Sequence, residues 1–189
     1  FRIIGVSYSS PNTTITVDGC NINNSNGYGI NITSTSASLK NSLIDKSGCL
    51  AGMGSPDGAS YSGVKMRSAG GLVEYNKITN SGYCAIMFYN NNFMVRYNEI
   101  DGFCSQLTDG GGIYTFVGDP ASISSGQKVY NNIVMNGGAN GLYSDNSANN
   151  IEWYNNTVIN VDRNGMHIND PFSLSVHHNT FYNCTTAGI

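Results

Sequence analysis

A short phrase returns along this chain at nearly constant intervals. It begins with an aromatic residue or Asn, continues with Asn and any residue, and ends with an apolar residue. About ten residues after most copies comes a second phrase, in which a small residue precedes an aliphatic one. Repetition of this kind indicates a stack of equivalent structural units. The first phrase occupies residues 75–78, 97–100, 131–134, 155–158 and 178–181, with weaker copies at 19–22 and 40–43.

The spacing of the phrase narrows the choice of architecture. Its central positions, 20, 41, 76, 98, 132, 156 and 179, are separated by 21, 35, 22, 34, 24 and 23 residues. A period of about 22 to 24 residues fits leucine-rich repeats and parallel β-helices, but leucine is sparse here. Each unit instead has three short apolar runs between turn-forming residues, which is typical of strands. The sequence therefore predicts an all-β, right-handed parallel β-helix with three parallel sheets and about seven to eight rungs.

The recurring Asn has two physical explanations. Asn tolerates the positive φ that tight turns between strands often require. A buried Asn amide can also donate to one rung and accept from another, because it carries both kinds of hydrogen-bonding group. We therefore expect the Asn side chains of successive units to stack.

These features resemble the pectin-lyase-like superfamily of parallel β-helix proteins over essentially the whole chain. The string at 109–115, Asp-Gly-Gly-Gly-Ile-Tyr-Thr, is similar to a motif in many secreted bacterial β-helix proteins of carbohydrate metabolism, some of them glycoside hydrolases. The resemblance implies a secreted or cell-surface location and a polysaccharide or oligosaccharide ligand. It is specific for the fold and much less specific for an activity.

Composition limits the organisation and the partners of the chain. Its 189 residues suit a single domain, 1–189, and its net charge of −3 argues against a nucleic-acid partner. No apolar run reaches the about 18 residues of a membrane span. Both ends fall within strand phrases, whereas β-helix ends normally carry caps. We therefore expect further rungs of the same polypeptide.

The five cysteines leave at least one thiol unpaired. Cys49 and Cys84 each lie eight residues after the central position of their phrase, in successive units. Stacked neighbours at rung spacing fall within the separation that a disulfide allows. Two small buried thiols in contact are the alternative, since free cysteine is among the most buried residue types.

Two of the repeats are longer than the others, and their extra residues point to one face. The loop insertions fall near 45–62, 101–111 and 117–128, and all three flank the same strand of the unit. Insertions gathered on one side of a solenoid usually build its binding face. In proteins with this fold, the resemblance implies, the same sheet lines the polysaccharide cleft.

Alternation assigns two outward columns of residues to that sheet. They combine Lys65 and Arg67 with four aromatic side chains and one His. Exposed aromatic rings can stack on sugar faces, and cations can neutralise carboxylate or sulfate groups; packing between rungs is the alternative role for the rings. The first column is predicted to contain Asn31, Lys65, Met87, Tyr114, Tyr143 and His167, and the second Thr33, Arg67, Tyr89, Phe116, Asp145 and Asn169.

The carboxylates near this face suggest hydrolysis. Glycoside hydrolysis requires two carboxyl groups about 5 Å apart or somewhat more. Asp145 and Asp170 come from neighbouring units at nearly equivalent positions and are the leading pair. Asp109, at the cleft rim before three glycines expected to form a sharp turn, is the third candidate. His167, predicted to lie beside Asp145, could assist proton transfer.

Two other functions remain open. A polysaccharide lyase would use Lys65, Arg67 and Tyr89 to neutralise a uronic carboxylate and abstract a proton. Resemblance to lyases also leads to an expectation of Ca²⁺ held by clustered Asp and Glu, but no such cluster is obvious, and a hydrolase would need no cofactor. The third reading is a non-catalytic carbohydrate-binding or adhesin-like structural β-helix. We expect a glycan along the outward face, held by Lys65, Arg67, Tyr89, Tyr114, Phe116, Tyr143 and Asn169.

Overall fold

The computed structural model describes residues 5–54 and 58–189, which form nineteen strands and one 3-10 turn at Ala59–Tyr61. In chain order the strands are β1 (Val6–Asp18), β2 (Asn21–Asn23), β3 (Ile30–Lys40), β4 (Leu43–Ser47), β5 (Val64–Ser68), β6 (Leu72–Glu74), β7 (Lys77–Ser81), β8 (Ile86–Tyr89), β9 (Met94–Arg96), β10 (Glu99–Phe103), β11 (Gly111–Phe116), β12 (Gln127–Tyr130), β13 (Ile133–Gly137), β14 (Asn140–Asp145), β15 (Asn149–Tyr154), β16 (Thr157–Val161), β17 (Met166–Ile168), β18 (Phe172–His177) and β19 (Thr180–Cys184).

The strands are arranged in three parallel series that form the three faces of a coil. Face 1 contains β5, β8, β11, β14 and β17, and face 2 contains β6, β9, β12, β15 and β18. The long strands β1 and β3 pass the corner between these faces without a break, so faces 1 and 2 belong to one twelve-stranded sheet. Face 3 is a seven-stranded sheet, β19-β16-β13-β10-β7-β4-β2, with one strand for each of seven rungs among the described residues. The predicted parallel β-helix is therefore present, with two of its three faces continuous.

The core is a set of stacked apolar columns inside the coil. Within each strand the inward residues alternate with outward ones, and strand register places inward residues of successive rungs on top of each other. Burying one such side chain contributes roughly 1.5–3 kcal/mol. One column from each face runs Ile30-Val64-Ile86-Ile113-Leu142-Met166, Leu39-Val73-Val95-Val129-Trp153-Val176 and Ile22-Ile44-Ile78-Ile100-Val134-Val158-Phe181.

The predicted Asn ladder is formed at the corner between faces 2 and 3. Each ladder amide except that of Asn179, the last, donates to the next ladder Asn, as from Asn98 Nδ2 to Asn132 Oδ1 at 3.0 Å and from Asn132 Nδ2 to Asn156 Oδ1 at 2.9 Å. Each also donates to a main-chain carbonyl of the preceding rung, which for Asn132 is that of Val95 at 3.0 Å. The full ladder consists of Asn76, Asn98, Asn132, Asn156 and Asn179.

The two roles expected of one Asn are divided between adjacent residues. The positive φ occurs one residue before each ladder Asn, for example 56° at Tyr75 and 56° at Asn131. In the weaker copy the register therefore differs from the predicted one. Asn41 has the positive φ of 48°, and Ser42 occupies the ladder, where its N–H donates to Asn76 Oδ1 at 3.0 Å. A serine fits there because its hydroxyl accepts from Cys20 N at 3.1 Å.

The long connections lie beside face 1. They join β4 to β5, β10 to β11 and β11 to β12, and part of the first, residues 55–57 of the predicted 45–62 insertion, lies outside the described residues. The first and second connections approach the beginnings of the face 1 strands, and the third approaches their ends. Face 1 is therefore flanked by irregular segments on both sides.

Candidate functional site

The outward side of face 1 has the two columns predicted from alternation. Strand pairing aligns Lys65 with Met87 and Arg67 with Tyr89, and aligns Tyr114 with Tyr143 and Phe116 with Asp145. The columns therefore combine residues from five consecutive strands of the sheet, β5, β8, β11, β14 and β17. Their composition is set by the pleat of the strands, because every second side chain points away from the core.

Two adjoining hollows, together called the groove, lie over this face. One, of about 390 Å³, is lined by Arg67, Tyr89 and Phe116 from the sheet together with polar and apolar residues of the flanking turns. The other, of about 270 Å³, shares those three residues and extends towards Lys65. The lining of the two hollows is completed by Ala59, Ala69, Tyr83, Met87, Asn90, Asn91, Tyr114, Val117, Ser122, Ile123 and Ser124.

A cation stacked on aromatic rings separates the two hollows. The Arg67 guanidinium lies 4.1 Å from the centre of the Tyr89 ring, and Phe116 meets that ring edge-on at 5.4 Å. The stacked arrangement orients the plane of the guanidinium, as is common for arginine against aromatic rings. Lys65 contacts Tyr28, with Nζ 3.2 Å from the Tyr28 hydroxyl. Both cations of face 1 are therefore held by aromatic side chains, and Arg67 is exposed.

The expected exposure of the aromatic columns is wrong for three of the rings. Tyr89, Tyr114 and Tyr143 expose 7% of their surface or less. They form a second apolar cluster outside the coil, together with Tyr28, Ala59, Cys84 and Met87. Ala59 comes from the connection between β4 and β5, and Tyr28 from the connection before β3. Packing between rungs also buries the rings, since Tyr114 meets Tyr143 edge-on at 5.1 Å and Tyr143 meets His167 at 4.7 Å. Phe116 keeps partial exposure.

Asp145 is buried on β14 beside Tyr114, outside the lining of the two hollows, and both of its carboxylate oxygens accept hydrogen bonds. Its Oδ2 accepts from the Tyr114 hydroxyl at 2.7 Å, and its Oδ1 accepts from Asn169 Nδ2 at 2.7 Å and from Asn146 N at 2.9 Å. Burial and then the Asp145 carboxylate raise the pKa of Tyr114, and they do the same for the pKa of Tyr143. Both phenols therefore stay protonated and act as donors.

The other predicted catalytic residues are not arranged as the spacing suggested. Asn169, and not Asp170, lies opposite Asp145, because Asn169 N donates to Ser144 O at 3.0 Å. Asp170 follows in the turn with a φ of 49° and is exposed. His167 lies opposite Tyr143, with the two ring centres 4.7 Å apart. Its Nδ1 is 3.3 Å from Asn164 Nδ2, so the imidazole contacts Tyr143 and Asn164.

The three glycines after Asp109 do not form the expected sharp turn, since none has a positive φ. They are required by close packing. A Cβ on Gly110 would lie 2.5 Å from the Tyr83 ring, and one on Gly112 would lie 2.9 Å from the Gly141 carbonyl oxygen. Asp109 is exposed, and its main-chain carbonyl accepts a hydrogen bond from the Tyr83 hydroxyl. Asp109 therefore lies at the rim of face 1, as predicted.

None of the four predicted catalytic residues lines either hollow, whereas most of the predicted binding residues do. The sequence reading missed the residues that cover or wall the groove, including Tyr28, Ala59, Tyr83 and the segment 122–124. Only the position of the insertions pointed to them. Face 2 has its own outward column, where Glu74 and Arg96 form a cross-strand ion pair at 2.7 Å and Tyr130 stacks on Tyr154 at 4.7 Å.

The expected contact between Cys49 and Cys84 is absent because the β4–β5 connection intervenes. Ser62 lies below Cys84, as indicated by the donation from Gly63 N to Cys84 O at 3.0 Å. Cys49 instead contacts the main-chain carbonyl of Asn80, with its sulfur 2.7 Å from that oxygen. The length of the β4–β5 connection therefore decides that Ser62, and not Cys49, lies opposite Cys84.

The described residues contain neither a cluster of metal ligands nor a helix that could span a membrane. Within 5–54 and 58–189 there is no group of three or more His, Cys, Asp or Glu side chains that could hold a metal ion, so these residues do not offer the Ca²⁺ cluster expected of a lyase. The described part of the chain also contains no helix with the length and apolar character needed to cross a bilayer.

Removing the Asp145 carboxylate tests whether its role is to hold Tyr114, which lines the groove, in place. We expect Asp145→Ala to lower the free energy of unfolding by about 2 kcal/mol, because the buried Tyr114 hydroxyl loses its acceptor. Asp145→Asn, which keeps an acceptor oxygen, should lose about half as much. Urea unfolding measures both. The control is Asp109→Ala, whose main-chain bond to Tyr83 survives the change; equal losses at 109 and 145 would contradict this role.

The coil of parallel strands places this chain in the class of parallel β-helix proteins. Its groove lies on the face that the irregular connections flank. The family described as "right handed beta helix region" matches residues 4–186, and the chain belongs to that family. The match confirms the predicted fold class, including its handedness, and the resemblance to the pectin-lyase-like superfamily at this coarse level. No curated protein and no solved structure gives a match to the chain.

Proposed function

We propose that this β-helix binds an acidic saccharide chain in the groove of face 1. One observation carries the proposal. The described residues that line the two hollows include Lys65 and Arg67 but no Asp or Glu, although the chain has 12 acidic residues against 9 basic ones. A cationic surface on an anionic protein favours ligands with carboxylate or sulfate groups. Such a ligand also fits the secreted or cell-surface location expected above.

The chemistry of the lining supports a saccharide as the carrier of those charges. The Arg67 guanidinium, held against Tyr89, has N–H groups in a fixed fork that suits a planar carboxylate. Asn90, Ser122 and Ser124 in the same hollow can exchange hydrogen bonds with sugar hydroxyls. Phe116 is the lining ring of face 1 that keeps partial exposure, and it offers a surface for stacking against a sugar ring.

A charge-neutralising variant tests the proposal. We expect the chain to bind a short oligogalacturonate or a sulfated glycosaminoglycan, and Arg67→Gln to weaken that binding about 10- to 100-fold, as loss of a charged hydrogen bond does. Isothermal titration at two salt concentrations measures the effect. Arg163→Gln is the matched control, since Arg163 is exposed and does not line the hollows. Equal binding of a neutral malto-oligosaccharide, or unchanged affinity in Arg67→Gln, would reject the proposal.

Cleavage of the bound chain by hydrolysis is the second candidate. The observation in its favour is that Asp145 is hydrogen-bonded to Tyr114, whose ring lines the groove, while Asp109 is exposed at the rim of the same face. In the same titration samples, new reducing ends would reveal hydrolysis, and unsaturated ends absorbing in the near ultraviolet would reveal a lyase. Hydrolysis that persists in Asp109→Asn would exclude this pair.

A further inference from the structure

Two buried thiols lie next to the groove and take no part in the proposed binding. Cys84 lies two residues before β8, and Cys104 immediately follows β10. Their exposed fractions are 0% and 2%, and both are free thiols in the structure. The loop segment 105–109, which leads to the rim residue Asp109, begins directly after Cys104.

The register of the coil places these two cysteines opposite each other on adjacent rungs. Cys104 N donates to the carbonyl of Tyr83 at 2.9 Å. At the start of β10, Glu99 pairs with Lys77, and Glu99 N donates to the carbonyl of Asn76, the residue before Lys77. The bond from Cys104 to Tyr83 follows the same pattern, so Cys104 lies opposite Cys84. Neighbouring parallel strands are about 4.8 Å apart, which lies inside the Cα separation that a disulfide permits. The neighbouring Cys84 thiol, and then burial, raise the pKa of the Cys104 thiol.

We propose that Cys84 and Cys104 form a disulfide when the chain folds in an oxidising compartment. The oxidant is a small disulfide such as oxidised glutathione. The Cys104 thiolate attacks it, which gives a mixed disulfide and releases one glutathione thiolate. The Cys84 thiolate then attacks the Cys104 sulfur, which forms the protein disulfide and releases the second glutathione. Two protein thiols are oxidised, one glutathione disulfide is reduced, and the two thiol protons pass to the glutathiones.

The order of folding and oxidation follows from burial. In the folded, reduced chain both thiols are shielded, and the raised pKa of the Cys104 thiol leaves little of the reactive thiolate. Exchange therefore takes place while the chain folds, before the Tyr83 ring and Gly110 close over Cys84. Once formed, the bridge is protected from reductants by the same shielding.

The bridge would reinforce the wall of the groove. It closes a loop of 20 residues, from 84 to 104, and ties the start of the 105–109 segment to the rung below. Tyr83, next to Cys84, lines the groove and bonds the Asp109 carbonyl. By the chain-entropy argument, a loop of this length should raise the melting temperature of a domain of this size by about 5 to 10 °C.

Counting thiols tests the proposal without any variant. The chain is refolded with a mixture of reduced and oxidised glutathione, denatured, and treated with N-ethylmaleimide without reductant. We expect labelling of three of the five cysteines and a cross-linked peptide that joins Cys84 to Cys104. Labelling of all five cysteines in protein that had folded before it was denatured, or a bridge from Cys84 or Cys104 to Cys49, would overturn the proposal.

Variants then connect the bridge to stability. Cys104→Ala should abolish the difference in melting temperature between protein refolded with and without oxidised glutathione. Cys20→Ala, at an exposed thiol, should leave that difference unchanged and is the control. A difference that survives in Cys104→Ala would overturn the proposed link. The inference is independent of the proposed function, because thiol counts and melting temperatures are measured without a saccharide.

Discussion

Replacing Asn132 with alanine is expected to lower the free energy of unfolding by about 3 to 5 kcal/mol. Asn132 is in the middle of the buried ladder, and its side chain takes part in five hydrogen bonds. Its amide donates to Asn156 Oδ1, to Val95 O and to Tyr130 O, and its Oδ1 accepts from the main-chain N and the side-chain Nδ2 of Asn98. Alanine removes all of these partners at once.

The size of the effect follows from burial. A donor or acceptor left without a partner inside a protein costs about 1 to 3 kcal/mol, and Asn132 exposes 1% of its surface. The Val95 carbonyl and the Asn98 amide both lose a partner and are shielded from water. Chains of hydrogen bonds also polarise one another, so damage in the middle of the ladder affects both neighbours. Urea unfolding, analysed at constant slope, measures the loss.

The control uses a second row of Asn residues on the outside of the coil. Asn160 donates to Asn136 Oδ1 at 3.2 Å and accepts from Asn183 at 2.8 Å, but these bonds are exposed. Because Asn160 has a φ of 54°, glycine is the substitution that preserves the backbone. Asn160→Gly should cost about 1 kcal/mol or less. If Asn132→Ala costs no more than this control, the buried ladder does not contribute as argued.

The ladder could be predicted from the sequence because it depends on local, repeated chemistry. One residue type at one position in every unit is enough to imply stacking, whatever lies outside the coil. The register of the weak copy at 40–43 could not be predicted, because both Asn41 and Ser42 can accept hydrogen bonds. The structure distinguishes them by backbone conformation, since Asn tolerates the positive φ that Asn41 adopts.

The candidate site was predictable to a smaller extent, and for a physical reason. Alternation gives the outward columns, because it depends only on the pleat of each strand. The apolar cluster that contains Tyr114 and Tyr143 also includes Tyr28 and Ala59, which lie in connections that do not repeat. Whether Cys49 meets Cys84 likewise depends on the length of the β4–β5 connection. Burial and contacts that arise from non-repeating segments therefore cannot be predicted from the repeating pattern of the sequence.

A valine at Gly141 is expected to lower the free energy of unfolding by about 3 kcal/mol or more. Gly141 belongs to the second recurring phrase, the small residue before an aliphatic one. A Cβ at this position would lie 2.6 Å from the carbonyl oxygen of Gly165 on the next rung and would overlap a methyl group of Val158. The same crowding recurs at Gly112 and Gly165, so the column of small residues marks where the coil is narrowest.

The crowding cannot be relieved by a small local shift. Strand β14 is hydrogen-bonded to β11 on one side and to β17 on the other, so moving Gly141 away from one rung presses it against the next. Overpacking of this kind usually costs about 1 to 3 kcal/mol, and contact with main-chain atoms in a paired strand places valine at or above the upper end. Alanine should fall within the usual range, since Ala85 occupies the equivalent position of another rung.

The matched control is Gly188→Ala, at the end of the same column. There a Cβ would find its nearest neighbour, a Phe181 atom, at 3.7 Å, which is ordinary van der Waals contact. We expect urea unfolding to order the losses as Gly141→Val, then Gly141→Ala, then Gly188→Ala, with the last within about 0.5 kcal/mol of the unmodified chain. A tolerated valine at 141 would mean that adjacent rungs can separate at this corner. The recurring small residue would then reflect turn formation, and rung spacing would have to be set by the Asn ladder and the apolar columns alone.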